Sequence, residues 1–230
     1  MEPAKAPRRP LVVTIDGPAG SGKTTVSRML ARRLGYRYID TGALYRGVAL
    51  AVLNAGIEAR DDAALAQLCA RIHLDLKDTG DGARVLLDNV DITNRIRTPE
   101  ISLLASTVSA LPVVRNFLLA TQRAMGEEKG VVAEGRDMGT VVFPHAEVKF
   151  FLDADPQIRA RRRYEELRVQ DGGGPSLEAV EKDMIQRDRN DTTRPVSPLK
   201  PASGAIRVDA SHLTAEQVVE RMLGQIAQRG

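Results

Sequence analysis

A chain of 230 residues that is 43% hydrophobic and 27% charged has the composition of a globular protein, long enough for one α/β core with or without an inserted subdomain. Its net charge of +3 and pI of 9.2 admit anionic partners. Four Tyr, four Phe and no Trp, with no interleaved aromatic–basic stripe, favour phosphorylated small molecules over nucleic acid.

Residues 1–10 are rich in Pro and charge, have nothing to bury, and are expected as a flexible tail. The apolar, β-branched run Leu11–Ile15 predicts a buried strand. It is too short for a signal peptide and is interrupted by Asp16. A helix-forming run begins at Thr24. Between strand and helix, Gly17, Pro18, Ala19, Gly20, Ser21, Gly22, Lys23, Thr24 and Thr25 fit the phosphate-loop pattern G-x-x-x-x-G-K-[ST]. Glycines let backbone N–H groups curl around phosphate oxygens, and the following helix turns its positive end to the same anion. Lys23 supplies charge for the outer phosphates, and the Thr24 hydroxyl is placed to ligate Mg²⁺. A nucleoside triphosphate is therefore expected.

Gly35 ends the first helix, Tyr36–Asp40 reads as a second strand, and Asp40-Thr41-Gly42-Ala43 turns into another helix. Asp61 opens a helix to about Ile72 in which Cys69, the lone cysteine, is a core position. His73–Lys77, Arg84–Asp88 and Asp91–Ile92 then read as short strands around the turn 78–82, an antiparallel patch inserted in a strand–helix alternation. Pro99 and Pro112 each start a helix. Val131–Ala133 and Val148–Leu152 resume the parallel sheet. Helices from Pro156 to about Gln170 and from Leu177 to about Arg189 flank a mobile break at 171–175. Ala205–Val208 is the last strand, and Thr214 with Gln217 forms a capping box on the closing helix. Five strands alternating with helices predict a doubly wound sheet with ligands at the strands' carboxyl ends.

Thr41, Arg46, Glu134, Arg136 and Asp137 fall just after core strands, where such a site must lie. Further arginines are Arg115, the run Arg159–Arg163, and Arg187 through Arg194. His73, His145 and His212 show neither metal-ligand spacing nor a nucleophile partner.

Asp-Thr-Gly-Ala-Leu-Tyr-Arg (40–46), Glu-Gly-Arg-Asp-Met-Gly-Thr-Val-Val-Phe-Pro (134–144) and Arg-Asp-Arg-Asn-Asp with Arg-Pro-Val-Ser-Pro-Leu (187–199) resemble the bacterial cytidylate kinases, a branch of the P-loop nucleoside monophosphate kinases. The resemblance runs from the phosphate loop to the last strand. It implies a five-stranded parallel sheet of order 2-3-1-4-5 with an inserted β patch and a helical lid. It divides the chain into a tail (1–10) and one kinase domain (11–230). The core would be 11–40, 113–155 and 192–230, the acceptor-binding region 41–112 with its insertion at about 73–96, and the lid about 156–191.

The resemblance also implies roles. Thr41, Arg46 and Arg136 correspond to contacts with the acceptor phosphate; Ser106, Arg115, Asp137 and Arg194 to contacts with cytosine; Arg187 and Asp191 to contacts with ribose. Arg159, Arg162 and Arg163 would clamp ATP phosphates from the lid, and Glu134 would meet Mg²⁺ through water. The implied reaction is ATP-dependent phosphorylation of CMP, with dCMP as second acceptor, by a cytoplasmic monomer that binds neither membrane nor nucleic acid. Another P-loop kinase, for UMP or shikimate, is the alternative enzyme. A GTPase-type switch wants an N-K-x-D motif, which the sequence lacks.

Overall fold

The computed structural model describes residues 9–78, 83–171 and 175–229. Most of the expected tail, the turn residues 79–82 and the glycines 172–174 lie outside the described residues.

Five strands form the central sheet: β1 (Val12–Asp16), β2 (Arg37–Asp40), β6 (Val131–Gly135), β7 (Val148–Asp153) and β8 (Ile206–Asp209). Their order is β2-β6-β1-β7-β8, with every neighbouring pair parallel. Numbered by themselves in chain order, these strands run 2-3-1-4-5, the order implied by the resemblance. β1 and β6 are buried along their whole length, as β-branched strands covered on both faces must be.

The register aligns the strand ends that matter. Asp16 stands opposite Gly135 across β1–β6, and Asp40 opposite Glu134 across β2–β6. Three chemically loaded strand ends thus meet on one edge. One face of the sheet packs on α1 (Lys23–Leu34) and α8 (Ala215–Ala227), where Leu30, Phe150 and Met222 are buried. A capping box starts α8, as the sequence predicts.

Residues between β2 and β6 build a hydrophobic core of their own. It joins α2 (Thr41–Ala55), α3 (Asp62–Arg71), α4 (Pro99–Val108) and α5 (Pro112–Ala124) to the second sheet. That sheet is antiparallel, β3 (Leu74–Asp78), β4 (Ala83–Leu87) and β5 (Val90–Asp91). Cys69 lies in this core. α6 (Pro156–Asp171) and α7 (Leu177–Thr193) pack on each other and on Ala19 of the phosphate loop through Ala160, Leu167, Val180 and Met184.

Two local features differ from the sequence expectation. α7 continues to Thr193 instead of ending near Arg189, so Asp191 stands on the same helix as Arg187. It stops at Arg194, whose backbone is extended because Pro195 disfavours the helical region for the residue before it. The second is a π-helical turn, Met138–Val142, directly after β6, a segment with no predicted element.

Candidate active site

At the carboxyl edge of the sheet a cleft of about 240 Å³ is lined by the phosphate loop, α2, α4, α5, the end of β6, α6 and α7. It gathers Lys23, Thr24, Thr25, Thr41, Arg46, Ser106, Arg115, Arg136, Asp137, Arg163, Arg187, Asp191 and Arg194 from the sequence expectation, with Ala19, Gly20 and Gly22 of the loop.

The phosphate loop is shaped by close backbone approach. A Cβ on Gly17 would lie 1.9 Å from the carbonyl oxygen of Leu152, and one on Gly20, where φ is +70°, would lie 2.6 Å from that of Arg159. Lys23 is buried, and its Nζ donates to the Pro18 carbonyl and, at 3.3 Å, to Ser21 Oγ. Burial and, next, the charge of Arg136 lower its pKa to about 7, against the carboxylates of Glu134, Asp191 and Asp16. A polyphosphate brought into the loop would restore full protonation.

Thr24 Oγ1 donates to Glu134 Oε1 at 2.8 Å, and the Tyr38 hydroxyl donates to that same oxygen. The other oxygen, Oε2, is buried and has no hydrogen-bond partner among the described residues. Burial, then Asp40, raise the pKa of Glu134, opposed by Lys23 and the two hydroxyl bonds.

In the middle of the cleft guanidinium groups converge. Arg136 Nε is held by Asp191 Oδ2 at 2.8 Å, and Arg46 Nη2 by Asp40 Oδ2 at 2.9 Å. Arg187 has a pKa lowered to about 10 by burial and then by the charge of Arg136, with Arg163 and Arg46 adding to the repulsion. Its Nε lacks a partner among the described residues. Mutual repulsion of this kind marks a place that takes an anion. Thr41 closes the floor, its hydroxyl donating to the Glu134 carbonyl at 2.7 Å.

At the far end Asp137, buried, accepts from Arg115 Nη2, and its Oδ1 lies 3.9 Å from Arg194 Nη2. Arg115 also reaches the Ser109 carbonyl at 3.0 Å and Ser197 Oγ at 3.2 Å, and lies 5.6 Å from the centre of the Tyr45 ring. Arg194 Nε is fixed by the Ser197 carbonyl at 2.7 Å. Ser106 Oγ and Arg194 Nη2 are buried without hydrogen-bond partners among the described residues. Buried polar groups are ordinarily satisfied. Unspent donors at Ser106, Arg187 and Arg194 and an unspent acceptor at Glu134, all lining one cleft, therefore describe a polar ligand with both acceptors and donors.

On the other side of the loop a cavity of about 700 Å³ is lined by Ser21, Gly22, Val26, Arg162, Ala210, Leu213 and Val218 among others. Arg162 sits there, donating to the Ala210 carbonyl at 2.8 Å.

Arg159 departs from its expected place. It lines neither cavity and is buried, with Nε on the Ala154 carbonyl, Nη1 on the Ala19 carbonyl and Nη2 on Asp188 Oδ2 at 2.9, 3.1 and 2.8 Å. With its nitrogens committed in this way it ties the phosphate loop to α6 and α7 and does not face either cavity. Sequence reasoning also passed over Asp16, Tyr38 and Tyr45. Tyr38 was within reach: two residues before Asp40 on a strand, it shares a face with it.

The fold and this cleft define a P-loop phosphotransferase with an arginine-rich cleft. The family model described as cytidylate kinase matches residues 13–228. The chain is 49% identical over 219 residues to a cytidylate kinase of Citrifermentans bemidjiense, covering 95% of this chain and 94% of that one. It is 48% identical over 221 residues to a cytidylate kinase of Pseudomonas savastanoi, covering 95% and 96%. The chain belongs to the cytidylate kinase family. A solved structure of an uncharacterized protein from Eubacterium ventriosum, 12% identical with a TM-score of 0.52 over 95% of this chain and 99% of that one, shares the fold alone.

Proposed function

We propose that the protein transfers the γ-phosphoryl group of ATP to CMP, and to dCMP, giving ADP and the nucleoside diphosphate. The observation that carries this reading is the far end of the cleft. Cytosine offers two acceptors, O2 and N3, and an exocyclic amine donor. Ser106 and Arg194 hold unspent donors beside the buried carboxylate of Asp137, and a carboxylate can only accept. Family membership favours this acceptor over UMP or shikimate.

The acceptor phosphate lies with Thr41, Arg46 and Arg136, and the ribose with Arg187 and Asp191. Asp40 and Asp191 hold two of these arginines in place before substrate arrives. A phosphate monoester with a second pKa near 6 is already a nucleophilic dianion at neutral pH, so no general base is needed. The difficulty is the approach of two polyanions, which Lys23 and the arginines offset. Arg163, which lines the cleft from α6, would serve the transferred group, and Arg162, in the second cavity, the donor side. We read α6 and α7 as the lid that excludes water as it closes, and residues 41–112 as the acceptor-binding region.

Mg²⁺ fits at Thr24, whose hydroxyl already lies on Glu134 while Glu134 Oε2 is left free. Among the described residues no group of three or more His, Cys, Asp or Glu could hold a metal by itself. Thr24 would thus complete a shell otherwise made of phosphate oxygens and water, with Glu134 bonding that water. The ion would supply charge neutralisation between the two substrates. Release of ADP, measured by a coupled assay with CMP, dCMP, UMP, AMP and shikimate as separate acceptors, tests the reading. Turnover led by CMP and dCMP is expected; comparable turnover with shikimate or AMP would overturn it.

A further inference from the structure

The base-reading end of the cleft depends on a residue outside it. Asp137 stands at the N-cap of the π-helical turn Met138–Val142, yet its side chain makes no capping bond. An aspartate at an N-cap ordinarily bonds the free N–H groups of the turn it starts. Here those groups are already taken. Met138 N donates to Asp16 Oδ1 and Gly139 N to Asp16 Oδ2, each at 2.8 Å, from the end of the adjacent strand β1. Asp16 is only 2% exposed. The seat is tight: a Cβ on Gly139 would lie 3.1 Å from both Thr14 Oγ1 and Ala202 Cβ.

The structure assigns to Asp16 the positioning of base selection: by capping the turn from the next strand, it leaves the Asp137 carboxylate free for Arg115, Arg194 and the base. Burial raises the Asp16 pKa to about 6, with the two backbone bonds opposing, so it remains an anion and a double acceptor at neutral pH. With Asp16 removed, the vacated N–H groups of Met138 and Gly139 would recruit the nearest carboxylate, that of Asp137. The groove would then lose its acceptor for the cytosine amine while its phosphate contacts persist.

This inference rests on the reading of Asp137 as the base-reading group, and the experiment separates the two. kcat and KM for CMP and UMP are measured for the unmodified protein, Asp16→Asn, Asp16→Ala, Asp137→Ala and the double alanine variant. Asp16→Ala should raise KM for CMP by about 10-fold or more while UMP changes much less, narrowing the CMP:UMP ratio of kcat/KM. Asp16→Asn keeps one acceptor and should fall between. In the Asp137→Ala background, removing Asp16 should leave the ratio where Asp137→Ala alone puts it. If Asp137→Ala narrows the ratio and Asp16→Ala lowers CMP and UMP alike, Asp16 is only a cap and the inference falls alone. If Asp137→Ala leaves the ratio unchanged, the reading of Asp137 falls and takes the inference with it. Amide exchange reads the unmodified protein directly: Met138 and Gly139 should be protected before CMP is added and unchanged by it. Protection that appears only with CMP would overturn the assignment.

Discussion

The two halves of the cleft are made of different material. The half we assign to the donor is mostly backbone: residues 17–25 form the loop and the first turn of α1, and the buried Lys23 comes from the same stretch. The acceptor half is side chains from α2, α4, α5, the end of β6 and α7, brought together across more than 140 positions and held by ion pairs. A backbone cradle accepts any triphosphate, because N–H groups carry no information about the base. A constellation of side chains can be specific, because each donor and acceptor is placed separately. Substitutions in the two halves should therefore fail differently.

Lys23→Ala strikes the half that serves every substrate. Phosphoryl transfer should fall by about 10³-fold or more for CMP and dCMP alike, since developing charge on the transferred group loses its nearest cation. Among the described residues Lys23 hydrogen-bonds within its own loop, so circular dichroism and thermal unfolding should show an intact fold. Equal turnover in that folded variant would remove the phosphate-loop assignment.

Arg46→Ala and Arg136→Ala test the side-chain half. Each should lower kcat/KM for CMP by about 10²-fold to 10³-fold through loss of a charge-assisted contact, while ATP affinity, measured separately by titration, stays within about 3-fold. The variants should not be equal in stability. Losing Arg136 should cost more, since it strips the buried Asp191 of its direct partner, whereas Arg46 is 29% exposed and Asp40 keeps its cap of α2. Parallel losses in ATP affinity would move these arginines to the donor side.

The same division explains what could be read from the sequence. The phosphate loop was legible because its residues are contiguous and its chemistry local. The strands were legible because β-branched runs such as Val131–Ala133 can hardly be anything else in a chain of this kind. Thr41, Arg46, Arg136 and Asp137 were legible by their place just after core strands, but their roles came by resemblance, since nothing in the spacing of Arg115 and Asp137 says that they touch. Asp16 stayed hidden because it acts across a strand pair, on the π-helical turn, and register is not written in either strand alone. The run Arg159–Arg163 misled for a related reason. Arg159 and Arg163, four residues apart, stand on one side of α6, and only packing decides that the first goes inward to Asp188 while the second faces the cleft.

That difference between two arginines of one helix gives the next comparison. Arg159→Ala would leave Asp188 without its buried partner and should destabilise the protein by about 3–5 kcal/mol, seen as a lower midpoint of denaturant unfolding. Arg163→Ala loses only a partly exposed pair with Glu166 and should leave that midpoint unchanged within about 1 kcal/mol, lowering kcat instead. A stable, slow Arg159 variant would make that residue a clamp for ATP phosphates and not a structural tie.

The smallest effect concerns motion of the proposed lid, and Arg159 again sets the terms. Its bonds to Ala19 and Ala154 fasten the first turn of α6 to the phosphate loop, and Ala160 packs there with Met184. Beyond that anchor, the side chains of Arg161, Glu165, Glu166 and Arg168 are exposed, and a segment of that kind opens at low cost. If α6 and α7 close on substrate, amide exchange should slow by about 10-fold over residues 163–168 when a molecule joining both nucleotides is bound. The anchored turn around Arg159 should be protected with or without it. Uniform slowing of the whole helix would mean that the anchor itself releases, and the lid would then hinge at the phosphate loop. Equal exchange in both states would leave α6 as a fixed wall, with water excluded by the substrates alone.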